Sequence, residues 1–299
     1  MAAEIPWEQG WEQAAFGPFG FYRQQSPYDH FTTSVEQATL VNDLLPYLRA
    51  SLDHGPVAIV DVGAGSGLLT EQLLASLEQQ ERARVQAYCL DLRARPTSLS
   101  PDIHWVQGDI RETISSIQRG NCVLIAHEFL DDIPCAIVEA DTHAYPHLLL
   151  VNPKSQQAML GPALTSDSDE ARWLREWWPV ARPLMRAEVG TTRDHIWQQL
   201  TAVVATGFAI AIDYGHLRAD RVRGLLDAGT LSGYANGQPC TPRADTSINL
   251  TAHVAMDSVA SASSGSPTIQ LMQRGPTPDF WWLVAAYGIN IPEPARMSQ

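Results

Sequence analysis

Apolar positions along the chain alternate between two periods. Residues 57–62 form a short β-branched run ending in glycines, the pattern of a strand buried on both faces of a parallel sheet. Leu69, Leu73, Leu74 and Leu77 then recur at helical spacing and predict a helix over 68–79. Further strand-like runs lie at 85–90, 103–106, 122–126 and 208–212. Between them, 110–118 reads as a short helix. A longer one, capped by Thr191 with Asp194, is expected to end at Gly207. Strands alternating with helices predict an α/β chain: a mostly parallel sheet with helices on both faces.

The flanking stretches read differently. Trp7 and Trp11 lie four apart, on one face of a short helix. Ser34 with Gln37 has capping-box spacing, so a helix is expected from Val35 until Pro46 kinks or ends it. From Ala140 to Val189 the pattern loosens. There 145–151 can form a strand, 164–171 is acidic and loop-like, and Trp173, Trp177 and Trp178 recur at helical spacing. Such a tryptophan stripe reads as core or interface rather than as a substrate clamp. Small residues over 258–267 read as a mobile connection, and the end around Trp281 and Trp282 is ambiguous. The division expected is an N-terminal helical lid over 1–50, the first part of a core over 51–139, an inserted substrate-side segment over 140–190, and the remainder over 191–299.

Composition narrows the functions. The chain has 299 residues, 45% hydrophobic and 18% charged, enough for one large core or a core with an insertion. Its net charge of −13 argues against a phosphate-backbone ligand, so no nucleic-acid partner is expected; an acidic surface suits a cationic one. Cys89, Cys122, Cys135 and Cys240 are scattered with no paired spacing, which suits reduced thiols and argues against a metal site. No basic region followed by an apolar one opens the chain, and 202–212, the longest apolar stretch, is interrupted and too short for a membrane span. The cytoplasm is the expected compartment, with no membrane partner.

The glycine turn after the first strand carries the most specific chemistry. It reads D-V-G-A-G-S-G over 61–67, with Gly63, Gly65 and Gly67 in G-x-G-x-G spacing and leucine at 68. A dinucleotide fingerprint needs one more residue between its last glycines. Asp61, a carboxylate directly before the loop, would repel a pyrophosphate but not an amino-acid end with a sulfonium. The loop resembles that of class I S-adenosylmethionine (SAM) methyltransferases, which implies a Rossmann-like fold and SAM as cofactor. Asp91 at the second strand tip can accept both ribose hydroxyls, and Asp109, with Ile110 beside it, can accept from the adenine amino group. His127 and Glu128 at the fourth tip should face the methyl. The segment holding Thr33 and Ser34 could cover the pocket.

Several stretches together resemble the MidA family, which includes the mitochondrial complex I assembly methyltransferase that dimethylates an arginine of a complex I subunit. They are G-F-Y at 20–22, F-T-T-S at 31–34, the glycine loop, H-E-F-L-D-D-I-P at 127–134, E-V at 188–189, I-D-Y-G at 212–215, G-T-L at 229–231 with Tyr234, and L-T-A-H-V at 250–254. The chain departs from the family's pattern at His30, Val35, His127 and Asn249. The resemblance implies a protein arginine as acceptor. A guanidinium stays protonated at neutral pH, so carboxylates must hold it and draw its charge to one nitrogen while the other attacks. Glu128 is the first candidate, supported by Asp131 and Asp213, although Asp131 and Asp132 also read as helix-start acids. Two alternatives stand: a small-molecule O- or N-methyltransferase with His127 as general base, and a SAM-binding scaffold with little turnover.

Overall fold

The computed structural model describes residues 3–24, 34–275 and 277–292, with the backbone alone for 34–38. Thr33 and the side chains of the expected Ser34–Gln37 capping box lie outside the described residues. The chain opens with β1 (Ile5–Pro6) and α1 (Trp7–Phe16), whose Trp7 and Trp11 are both buried. Next come α2 (Phe21–Gln24) and α3 (Ser34–Leu52). Of the two outcomes expected at Pro46, a kink or an end, the helix does not end there. Leu44, Leu45, Tyr47, Leu48 and Leu52 are buried around it, and their packing outweighs the ~3 kcal/mol a helix proline costs.

β2 (Val57–Val62) has the predicted bounds, and the glycine turn delivers it into α4 (Leu68–Ala75). The helix expected to reach residue 79 breaks at Ser76, whose Oγ donates to the Gln72 carbonyl. The chain restarts in α5 (Gln79–Arg82). β3 (Val85–Asp91), β4 (Ile103–Gln107), the short α6 (Ile110–Thr113) and β5 (Gly120–His127) follow.

The segment expected over 140–190 begins earlier and is a sheet in its own right. β6 (Ala136–Ala140), β7 (Pro146–Val151), β8 (Ala158–Ala163) and β9 (Arg186–Val189) pair antiparallel, with β1 added against β7. Its first strand falls in what the sequence assigns to the core, because A-I-V-E-A carries no breaker to mark the boundary. The acidic stretch expected as loop starts α7 (Asp169–Trp177): Ser168 Oγ caps Ala171 N–H at 3.1 Å, and Asp169 and Glu170 occupy the first turn, where the helix dipole favours them. Trp173 and Trp178 are buried beneath it.

α8 (Thr191–Thr201) has Gly190, not Thr191, at its N-cap; Asp194 instead accepts from Trp173 Nε1 and Ser258 Oγ, tying α7 and the C-terminal region to α8. The helix ends at Thr201 rather than Gly207, which lies inside the long β10 (Val204–His216). At φ +109°, with a Cβ position only 2.1 Å from the Cys122 carbonyl oxygen, residue 207 must be glycine for β10 to lie against β5. After α9 (Arg218–Arg223) come β11 (Ser232–Ala235), β12 (Gln238–Cys240), β13 (Asn249–Thr251), β14 (Val254–Ala255) and α10 (Met256–Ser261). The stretch expected as a mobile connection therefore begins as helix, with Ser258, Val259 and Ala260 buried. β15 (Thr268–Gln273) and β16 (Phe280–Tyr287) complete the chain, the latter holding Trp281 and Trp282.

The main sheet runs β15-β16-β10-β5-β2-β3-β4. β10, β5, β2, β3 and β4 are parallel; β16 inserts antiparallel beside β10, making the sheet mixed. Strand order reverses between β2 and β5, the switch point where an open sheet splays its loops and leaves a crevice at the carboxyl ends. Apolar clusters cover both faces. No helix among the described residues is long and apolar enough to cross a membrane.

Candidate functional site

A cavity of about 330 Å³ sits over the carboxyl ends of β2, β3, β4, β5 and β10, closed on its far side by α1, α2, β11 and β13. Gly63 and Gly65 line it, at φ +67° and +62°. A Cβ on Gly63 would meet the Phe129 ring at 2.7 Å, so this turn admits no side chain. Gly67 caps α4 against Leu99 and is off the cavity wall.

Asp61 is not at the wall either. Strand alternation puts it with Ile59 under α4, where it is buried and accepts from Thr70 Oγ1 at 2.7 Å; burial pushes its carboxyl up to about 7. The ligand-facing role read from sequence is corrected: Asp61 fastens the loop to its helix.

Asp91 does reach the cavity. Its Oδ2 accepts the Gly65 N–H at 2.8 Å, and Arg93 lies against it with Nε 3.0 Å from Oδ1. One carboxylate thus fixes the glycine loop and remains at the edge where two ribose hydroxyls could reach it. Asp109 caps α6 and pairs with Arg111, which also binds Glu12 of α1 at 2.8 Å. Burial pushes the Asp109 carboxyl up, and the Arg111 bonds more than reverse this, holding it below its usual range. Ile110 lines the wall beside it.

The tip of β5 is built unusually. His127 lines the cavity, its ring edge-on to Phe280 with 6.3 Å between centroids, and burial pushes it down to about 4, so it is neutral at pH 7. Glu128, with an oxygen 3.4 Å from His127 Nε2, has φ +48°, a left-handed conformation that costs a non-glycine residue about 1 kcal/mol. Its N–H still bonds Ile212 O at 2.8 Å, and the next three N–H groups then turn toward a single acceptor. Asp213 Oδ2 takes Phe129, Leu130 and Asp131 N–H at 3.2, 2.8 and 3.3 Å. Asp213 is fully buried behind the loop and absent from the wall, so the acceptor-holding role read from sequence is corrected to a scaffold for the loop.

Asp131 is on the wall, 6% exposed, with Oδ2 taking Thr251 Oγ1 at 2.6 Å and its other oxygen closed off from solvent beside the Asp213 carboxyl. Asp132 lies beside it, and burial together with the Asp131 charge pushes its carboxyl well above the usual range. Tyr22 of α2 donates to Asn249 Oδ1 at 2.6 Å close by. Holding this floor in place is Arg193 of α8, which no sequence motif marks. Its guanidinium, 1% exposed, donates to the carbonyls of Ile133, Ala252, His253 and Asp131 at 2.9 to 3.0 Å. No group of three histidine, cysteine or acidic side chains among the described residues could hold a metal.

A glycine loop at a strand–helix turn, a strand-tip carboxylate beyond it and a cavity at the switch point fit a nucleoside bearing an amino-acid tail. A family model described as "Putative S-adenosyl-L-methionine-dependent methyltransferase" matches residues 39–271, most of the chain. The chain belongs to that family. The methyltransferase uses S-adenosylmethionine, and its fold is close to two solved structures from Burkholderia thailandensis. One is an uncharacterised superfamily protein in native form, 17% identical, TM-score 0.75, covering 96% of this chain and 88% of its own. The other is a member of the same superfamily bound to S-adenosyl-homocysteine, 16% identical, TM-score 0.76, covering 96% and 89%. At these identities the likeness speaks for the fold. No curated protein matches the sequence.

Proposed function

We propose that the methyltransferase seats the methionyl end of its cofactor on Gly63 and Gly65, the ribose on Asp91 and the adenine beside Asp109 and Ile110, and passes the methyl at the β5 tip to a cationic nitrogen. Following the resemblance to the MidA family, that nitrogen belongs to an arginine of a protein, in the cytoplasm that four free cysteines suit. The observation that carries this reading is a pair of carboxylates on the cavity wall at the β5 tip, Glu128 and Asp131. A guanidinium presents N–H donors in a planar fork that carboxylates accept. Asp132 lies on the same wall, its carboxyl pushed by burial toward the neutral form. Methyl transfer is an in-line displacement at a carbon already activated by the sulfonium. The chain's part is therefore to align the acceptor, exclude water and hold charge where it develops.

The small-molecule reading with His127 as base is weaker on this geometry. A ring pushed to about 4 by burial takes up a proton poorly at neutral pH. The scaffold reading predicts indifference to Glu128, and kinetics separate the two. Glu128→Gln keeps volume and removes charge, so methyl transfer from labelled cofactor to extract protein should fall roughly a hundredfold, ~3 kcal/mol of barrier. Cofactor affinity should barely move. An unchanged rate would remove Glu128 from the reaction.

On the cofactor side, Asp91→Ala should weaken SAM by about 1–3 kcal/mol by losing its hydrogen bonds and freeing the Gly65 N–H. Titration calorimetry measures this directly, and unchanged affinity would take Asp91 out of the site.

A further inference from the structure

We propose that His253 takes the proton that the acceptor nitrogen must lose on methylation, with Asp279 orienting the ring toward the solvent rim. The proposal rests on the reading above, in which a cationic nitrogen is methylated at the β5 tip.

The placement comes first. His253 lines the same cavity as His127 and Glu128, and a series of rings connects them. His127 meets Phe280 at 6.3 Å, Phe280 meets Tyr214 at 5.0 Å, and Tyr214 stacks on His253 at 6.0 Å with 26° between planes. Ile212 pairs with His127 across β10 and β5, which sets Tyr214 just beyond the tip where the methyl is passed. The His253 side chain is 30% exposed, and its Nε2 lies 3.6 Å from Asp279 Oδ2, itself 43% exposed. That gap is too long for a hydrogen bond and short enough for an ion pair once the ring is charged.

The surrounding structure fixes this one residue from both sides. Its N–H donates to Thr230 Oγ1 at 3.0 Å, and its carbonyl accepts from Arg193 at 3.0 Å. Thr230 is in turn held by Glu188, a carboxylate 3% exposed, which takes the Thr230 N–H at 2.9 Å and its hydroxyl at 3.1 Å. Gly229 must be glycine for this, since a Cβ there would sit 2.5 Å from Glu188 Oε1. Glu188 of β9, Arg193 of α8, and Gly229 with Thr230 converge on the backbone of a histidine whose ring has no hydrogen-bond partner among the described residues.

The chemistry needs such a group. The acceptor nitrogen's electron pair forms the bond to the methyl carbon, and the carbon–sulfur pair stays on sulfur as the neutral thioether. A guanidinium that gains a methyl would be doubly charged unless an N–H proton leaves. His253 accepts it, and the charge lost from sulfur departs as that proton through the rim. Asp131 and Glu128 are occupied in holding the cation. The charged and titratable groups facing His253 are Asp279, Tyr214, His216 behind it at 6.5 Å between ring centroids, Arg193 at its backbone and Asp131 across Thr251. Burial pushes His216 well below its usual range, so it stays neutral.

Two measurements test this together on the full-length protein. In the first, His253→Asn and Asp279→Asn are compared with wild type for methyl transfer from labelled SAM to extract protein across pH 6 to 9. We expect His253→Asn to lose tenfold or more and to lose the acid limb of the rate profile, and Asp279→Asn to shift that limb downward. S-adenosylhomocysteine affinity, unchanged in both, shows that folding and the cofactor site survive. In the second, histidine ring NMR follows His253, identified by its absence in His253→Asn, as methylguanidinium is added to protein saturated with S-adenosylhomocysteine. The His253 signal should move and its midpoint fall, because a cation now lies beside it. A His253→Asn rate and profile equal to wild type, or a signal that methylguanidinium leaves in place, overturns the assignment. A wild type that transfers nothing contradicts the methyl-acceptor reading itself, and the NMR titration then decides where His253 faces.

Discussion

Asp213→Ala is expected to cost about 4 kcal/mol of stability and to eliminate measurable methyl transfer. Three backbone N–H groups, from Phe129, Leu130 and Asp131, end on one oxygen of this carboxylate, and Tyr214 N–H ends on the other. Alanine leaves all four donors without a partner in a dry environment, at about 1–3 kcal/mol each before relaxation and with much non-additivity. It also removes the reason for Glu128 to hold its left-handed backbone. The loop should then relax and carry Glu128 and Asp131 out of line with the methyl. Asp213→Asn keeps one acceptor oxygen and turns an NH₂ toward the remaining donors, so its loss should be smaller but still evident. Chemical denaturation gives the stability change. A variant as stable and active as wild type would show that the loop does not depend on this anchor.

Arg193→Met should be of similar size, about 4 kcal/mol, or roughly 6 °C in midpoint. Methionine retains the stem's volume and deletes a charge that satisfies four carbonyls and lies 5.8 Å over the Trp11 ring. Those carbonyls belong to the two segments that form the floor of the cavity, 131–133 and 252–253, so activity should fall with stability. Arg193→Lys cannot reach all four with one ammonium and should recover only part of the loss. Thermal unfolding with and without S-adenosylhomocysteine reads both effects, and a midpoint unmoved by Arg193→Met would contradict the role given to this side chain.

The contrast between these residues and the glycine loop shows what was legible in the sequence. β2, the turn and α4 are specified locally, by β-branched residues, then glycines, then leucines at helical spacing, so their bounds could be read directly. The strand-tip carboxylates could be read the same way as far as position. Their orientation could not. Asp61, Asp91, Asp131 and Asp213 are all acids near strand ends, yet two face the cavity and two are buried behind it, a choice made by side-chain alternation and by what packs opposite. Arg193 had no signal, because its partners are carbonyls distant in sequence. β16 was hidden for a different reason: F-W-W-L-V-A-A-Y is apolar throughout, as a strand covered on both faces must be, and lacks the alternation that separates strand from buried helix. α10 was masked by small residues that look like a linker until Trp173 and Asp194 are seen bonding to Ser258. The inserted sheet blurred its own boundary, since β6 continues the apolar character of the strand before it.

As proposed, the β5 tip passes a methyl from SAM to a protein arginine. The most direct measurement is peptide mass spectrometry of an extract incubated with SAM carrying a deuterated methyl group, with wild type and Glu128→Gln side by side. The account predicts heavy methyl on arginine nitrogens with wild type and its near disappearance with Glu128→Gln. Label found only on small molecules or on other side chains, or equal arginine labelling by both proteins, would contradict it.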